Sequence, residues 1–203
     1  MPGYCARDSL SGGVVQDPNN VRGDYGPCTY DSPHLFNASL VFVSQLRHGG
    51  LVSRFVNNWQ IAPLVRYQSG LPVNPVSGKD YSLTGVLNDR PNVVSTVQYT
   101  GAPHGLFYQY VNPALYVANA TGTFGNAGHN SLRGPGFFDV DMALSRTFKL
   151  YEQLALDVRA EAFNVLNHPN FMTPNANISS ANFGQITAAY DPRILQAAVK
   201  LTF

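Results

Sequence analysis

The stretch "FFDVDMALSRTF" (137–148) has the most regular pattern in the chain. Phe138, Val140, Met142, Leu144 and Phe148 alternate with Asp139, Asp141, Ala143, Ser145 and Thr147. Successive side chains of a β-strand point to opposite faces, so this period of two reads as a strand with one greasy face and one polar face. Toward the C-terminus, "QLALDVRAEAFN" (153–164) sets Leu154, Leu156, Val158, Ala160 and Ala162 against Asp157, Arg159, Glu161 and Asn164. Beyond it, "ILQAAVKLTF" (194–203) places Leu195, Ala197, Val199, Leu201 and Phe203 opposite Gln196, Ala198, Lys200 and Thr202.

Toward the N-terminus, "HLFNASLVFVSQL" (34–46) puts Phe36, Ala38, Leu40 and Phe42 on one side and Asn37, Ser39 and Gln45 on the other. In "NWQIAPLVRYQSG" (58–70), Trp59, Ile61, Val65 and Tyr67 oppose Gln60, Arg66 and Gln68. Pro63 has no N–H for a ladder, which predicts a local break or bulge there. Strands are predicted near 34–46, 57–70, 137–149, 152–166 and 193–203. Their connections alternate in length: 47–57 and 149–152 are short, whereas 71–136 and 165–193 are long and rich in Asn, Gly and Pro.

Composition points the same way. Of 203 residues 12% are charged, about half the usual ~25% of soluble domains, yet 12% are aromatic. The formal net charge of +1 and the absence of basic runs interleaved with aromatics exclude nucleic acid as a partner. No window approaches the ~20 apolar residues of a membrane helix. "MPGYCARDSLSGG" (1–13) lacks the cationic and apolar regions of a signal peptide. Cys5 and Cys28 are able to close a disulfide in an oxidising compartment, with two free thiols as the alternative.

A charge-free face on several antiparallel strands must be covered by a second sheet or by lipid. A soluble or surface-attached β-sandwich, binding carbohydrate or protein through its long loops, is one solution. Lipid fits three features better: charges strung along one face of neighbouring strands, aromatics such as Trp59, Tyr67, Phe138, Phe148 and Phe203 toward strand ends, and alternating short and long connections. Within hydrocarbon every backbone group needs an internal partner, so the strands must belong to a closed barrel, and five are too few to close one. The expected fold is all-β: a curled antiparallel meander forming part of a large transmembrane β-barrel with long extracellular loops. Residues 1–33 are read as an extracellular loop-like segment and 34–203 as the barrel segment. A periplasmic terminus would put 47–56 and 149–152 on the periplasmic side.

Nothing in the sequence reads as catalytic, cofactor-binding or metal-binding, and no enzyme is expected. HExxH and GxSxG are absent, and His34, His48, His104, His129 and His168 are scattered. "GLPVNPVSGKD" (70–80) has seven residues between glycines where a phosphate loop needs four. Arg22-Gly23-Asp24 reads as a turn. In "NPALYVANATG" (112–122), Asn112 and Pro113 fit the cap and first position of one helical turn. Asp139, Asp141, Asp157, Arg159 and Glu161 could pass for a carboxylate cluster, but their placement fits a lumen-facing polar wall with opposite charges paired across strands.

"GNAGHNSLRGPGFFDVDMALSRTF" (125–148), "LALDVRAEAFNVLNHPNF" (154–171), "NFGQI" (182–186) and "DPRILQAAVKLTF" (191–203) together resemble the C-terminal end of TonB-dependent outer-membrane receptors. The likeness is greatest to the Oar-like group, whose members carry a carboxypeptidase-regulatory-like domain ahead of plug and barrel. "DSPHLFNASLVF" (31–42) and "WQIAPLVRYQSGLPV" (59–73) look like earlier strands of such a barrel. The resemblance covers most of residues 14–203 and is most specific in the last third. It implies nutrient uptake across the outer membrane of a Gram-negative cell. The partners it implies are outer-membrane lipid, the remainder of the barrel and a plug, and a TonB energising complex reached through that plug. It also implies that the barrel-assembly machinery reads Val199, Leu201 and Phe203. Plug, TonB box and signal peptide are not in this sequence, so a fragment is expected.

Overall fold

The computed structural model describes residues 4–5, 15–45, 50–85, 87 and 89–203. His48, most of residues 1–14 and the Cys5 side chain lie outside that description. The chain divides into two compact units.

The first unit comprises residues 35–67, 138–169 and 191–203, and holds the alternating segments. Its strands are β1 (Leu35–Ser39), β2 (Phe42–Val43), β3 (Gln60–Gln68), β4 (Phe137–Tyr151), β5 (Leu154–Phe163) and β6 (Ile194–Thr202). They form one sheet in the order β6-β5-β4-β3-β1, with β2 also paired to β3. β4 pairs antiparallel with β5, and β5 with β6. Arg66 bonds Asp141 near one end of β3 and Trp59 packs on Phe148 near the other, so β3 and β4 are antiparallel as well.

The break expected at Pro63 does not occur in its own strand and falls instead on the neighbouring one. β3 runs through Pro63, but the segment beside it breaks at Leu40–Val41 into β1 and β2. Leu40 donates its N–H to the Pro63 carbonyl at 3.1 Å, and Pro63 has no N–H to return. The predicted strand 34–46 is thus two. The link from β2 to β3 contains a six-residue helix, α1 (Leu51–Val56). Ser44 ties it down: its N–H donates to Trp59 O at 2.8 Å, and its hydroxyl donates to Val56 O at 2.5 Å. β4 and β5 are joined by Glu152 and Gln153 alone, after a register shift between Lys149 and Tyr151.

The second unit, residues 1–34, 68–137 and 170–190, corresponds to segments expected to be mostly loops. Among the described residues it is ordered without long strands. Two-residue ladders join Tyr4–Cys5 to Gly26–Pro27, Pro72–Val73 to Leu132–Arg133, Asn92–Val93 to Tyr116–Val117, and Tyr108–Gln109 to Gln185–Ile186. Val111, Leu115, Tyr116, Ala127, Leu132 and Phe183 form a buried core, with Val73, Tyr99, Tyr110 and Ile178 packed against it. Asn112 caps a 3-10 turn at Pro113–Leu115 by accepting the Ala114 N–H at 3.0 Å, which drives Leu115 into that core. Burial holds the Tyr110 and Tyr116 hydroxyls above their usual pKa.

Polar groups are buried in this unit too, and they are paired. Arg90 and Asp24 form an ion pair at 5% and 2% exposure. Arg90 Nε donates to Ala127 O at 2.8 Å and Nη2 to Gly23 O at 2.9 Å, while Asp24 Oδ2 accepts the Gln16 N–H at 2.9 Å. Gln16 returns to the Arg90 N–H and to Gly125 O. A buried charge costs several kcal/mol unless so satisfied. Gly125 is required here: a Cβ on it would sit 1.9 Å from the Arg90 carbonyl oxygen.

Candidate functional site

The functional surfaces of the first unit are the two faces of its sheet, and the strand register defines them. Met142, Ala162 and Leu195 stand side by side across β4, β5 and β6. The rows that follow are Leu144, Ala160 and Ala197; then Arg146, Val158 and Val199; then Phe148, Leu156 and Leu201. Phe42 stands opposite Ile61 on the next strands. This face is open, with Val199 69% exposed. From Phe138 to Phe148 it spans ten residues, about 33 Å along the strand. At the usual barrel tilt that is roughly the ~25 Å height of an outer-membrane apolar band.

The opposite face has the rows Ala143, Glu161, Gln196; Ser145, Arg159, Ala198; and Thr147, Asp157, Lys200. Asp139, Asp141, Asp157, Arg159 and Glu161 therefore share one face. Their pairing differs from the expected exchange of charges between β4 and β5. Asp139 and Asp141 both bond Arg66 of β3, Asp141 at 3.0 Å, and Asp141 also accepts the Asn164 N–H at 3.0 Å. Arg159 Nε donates to Glu161 on its own strand at 2.6 Å, and the Gln196 amide donates to the same carboxylate. Asp157 accepts from the Thr147 hydroxyl at 2.5 Å. The register explains this: Ser145 and Ala198 flank Arg159, so the nearest carboxylate on its face is two residues along.

Arg146 breaks the apolar face, and sequence reasoning passed over it. Its guanidinium sits 4.4 Å from the Phe148 ring centroid and 5.6 Å from that of Trp59, and it donates to Phe55 O. Trp59 Nε1 donates to the same carbonyl at 2.8 Å, and the Trp59 and Phe148 rings meet edge to face at 6.4 Å. An aromatic pair and a cation reaching for backbone oxygen is how charge is accommodated at a membrane–water boundary. Its place in an otherwise apolar alternation was the available signal.

The other sequence candidates fall as follows. Val199 and Leu201 lie on the open apolar face opposite Val158 and Leu156, and Phe203 follows β6 fully exposed. Cys28 is buried and disulfide-bonded; Cys5 is the chain's one other cysteine. Asp24 of the Arg-Gly-Asp tripeptide is consumed by Arg90 and is closed to any partner. Among the described residues no group of His, Cys, Asp or Glu is placed to hold a metal ion.

One sheet with an open apolar face, a charged opposite face and an aromatic–cation cluster toward one end is the wall of a membrane β-barrel. Residues 4–196 match the outer membrane beta barrel domain family, and the chain belongs to it. Its place is the outer membrane. No curated protein and no solved structure matches the chain. The β-sandwich alternative falls with this assignment, because the sandwich requires the apolar face to be covered by a second sheet.

Proposed function

We propose that the chain is the C-terminal barrel portion of a TonB-dependent outer-membrane transporter of the Oar-like kind, serving uptake of a large or scarce nutrient. The observation that carries the reading is the asymmetry of the connections. β4 and β5 are joined by two residues, while the long segments between β3 and β4 and between β5 and β6 supply the packed core of the second unit, Val111, Leu115, Tyr116, Ala127, Leu132 and Phe183. A simple pore needs no such ordering, whereas capture of a specific ligand benefits from rigid loops. The resemblance of 125–148 and 154–171 to such receptors supplies the finer assignment.

In this reading the long connections are extracellular, and α1 and the 152–153 turn are periplasmic. The wall of Asp139, Asp141, Asp157, Arg159 and Glu161 faces a lumen filled by a plug. Further strands complete the barrel, a TonB complex acts through the plug, and the barrel-assembly machinery reads Val199, Leu201 and Phe203. The test compares growth on scarce ferric chelates, cobalamin and oligosaccharides in strains lacking either the receptor or TonB. Shared loss of growth on one nutrient is expected. A receptor phenotype that persists in a TonB-independent form would overturn the reading.

A further inference from the structure

We propose that the membrane face carries a specific site for a phosphate-bearing diacyl lipid, with an acyl chain in a groove on β4–β6 and the phosphate on Arg193. The groove has a volume of about 430 Å³, within the ~300–1,000 Å³ range of small-ligand sites. Ala160, Ala162 and Ala197 leave a depression across β5 and β6, and the larger Met142, Leu144 and Leu195 stand beside them in the same two rows. Val165, Glu161 and Gln196 complete the lining, with the last two side chains hydrogen-bonded to each other.

A cation stands next to Val165. Arg193 Nη1 donates to the Val165 carbonyl at 3.4 Å, and the Arg193 backbone N–H donates to Asn167 Oδ1 at 3.1 Å. The guanidinium is thereby tied to Val165, a residue of the groove lining, and only one of its five N–H donors is engaged among the described residues. Guanidinium matches phosphate in charge and in bidentate geometry. The face lies in the outer membrane, so lipid is what covers it. An apolar trough with a guanidinium tied to its lining selects, among lipids, those with a phosphate directly on the diacylglycerol. This site does not depend on the uptake reading: loss of transport leaves it intact.

The full-length protein, purified in detergent, is mixed with dioleoyl phosphatidic acid or with dioleoylglycerol, and bound lipid is counted by native mass spectrometry. The two lipids differ only in the phosphate. Wild type is expected to retain phosphatidic acid at least ten-fold better. Arg193→Gln should bring the two lipids to parity, Arg193→Lys should restore most of the preference, and Ala197→Leu, which fills the groove, should weaken both. Heat-modifiable gel mobility verifies that each variant is folded. Equal retention of the two lipids by wild type, or an undiminished preference in Arg193→Gln, would overturn the phosphate site. Unchanged binding in Ala197→Leu would overturn the groove.

Discussion

The two units arrange the same residue types in opposite ways. In the sheet, Leu195, Val199 and Leu201 are open while Asp139, Asp141 and Arg66 bond to each other across the other face. In the second unit Val111, Leu115 and Leu132 are sealed, and so are Asp24 and Arg90. Neither pattern is a defect. A leucine facing hydrocarbon is already in its favoured medium, so the sheet needs no core of its own. The second unit packs a core of its own, as a unit in water must. The contrast teaches that burial is informative only once the medium outside each surface is known.

The largest expected effect attacks the buried pair of the second unit. Asp24→Ala leaves the Arg90 guanidinium buried without its carboxylate, at a cost of about 3–5 kcal/mol. Limited proteolysis of the folded protein should then cut within 80–130 while the strands remain protected. Unchanged resistance there would mean that the network does not hold this unit together.

The same truncation in the two media sharpens the comparison. Leu115→Ala leaves a cavity in a packed core and should cost roughly 2–5 kcal/mol. Leu201→Ala loses transfer energy alone, because lipid fills the space and the cavity term vanishes. Urea titrations in vesicles, following the two units by separate probes, should show the larger loss at Leu115. Equal losses would contradict the assignment of different solvents.

Register gives the next test. Leu144→Arg places a charge on the apolar face and should cost about 2–4 kcal/mol if that row lies near the bilayer midplane, whereas Ser145→Arg should be mild. Similar refolding yields and stabilities for both would refute the faces. Arg146 does not contradict the expectation, since Trp59, Phe148 and the Phe55 carbonyl supply it with partners that residue 144 lacks.

The sheet was legible in the sequence because a period of two is a strong local signal, and the common face of Asp139, Asp141, Asp157, Arg159 and Glu161 followed from it. Three things were not. The partner of Asp139 and Asp141 is Arg66, more than seventy residues away, and alternation within a strand says nothing about which strand lies beside it. Arg146 was skipped because a single cation in an apolar row becomes meaningful only when Trp59 is placed next to it. The second unit was read mainly as loop because ladders of two residues carry no periodicity, and its order comes from long-range pairs such as Asp24 with Arg90. The local devices recognised there, the turn at Arg22-Gly23-Asp24 and Asn112 before Pro113, are ones that work through adjacent residues.

The smallest expected effect concerns a single turn of the water-facing unit. Leaving bulk water pushes the Asp80 carboxyl upward, but the N–H groups of Gly85 and Thr84, the Ser82 hydroxyl and the Leu83 N–H together outweigh this and hold its pKa below the usual 3.8. Gly85 donates at 2.8 Å and Thr84 at 3.0 Å, across a turn in which Leu83 adopts a φ of 61°. That left-handed conformation is unfavourable for a leucine and needs such a tie. A carboxyl whose pKa is lower folded than unfolded stabilises the turn fully above its unfolded value, and this contribution fades as pH falls through the folded one. Protection of the Thr84 and Gly85 amides from hydrogen exchange should therefore be constant from neutral pH down to about 4. Below that it should decline, with amides of β4 and β5 unaffected over the same range. Asp80→Asn removes the titrating group and should flatten the profile. A decline that survives in Asp80→Asn would assign the acid sensitivity of this turn to another group.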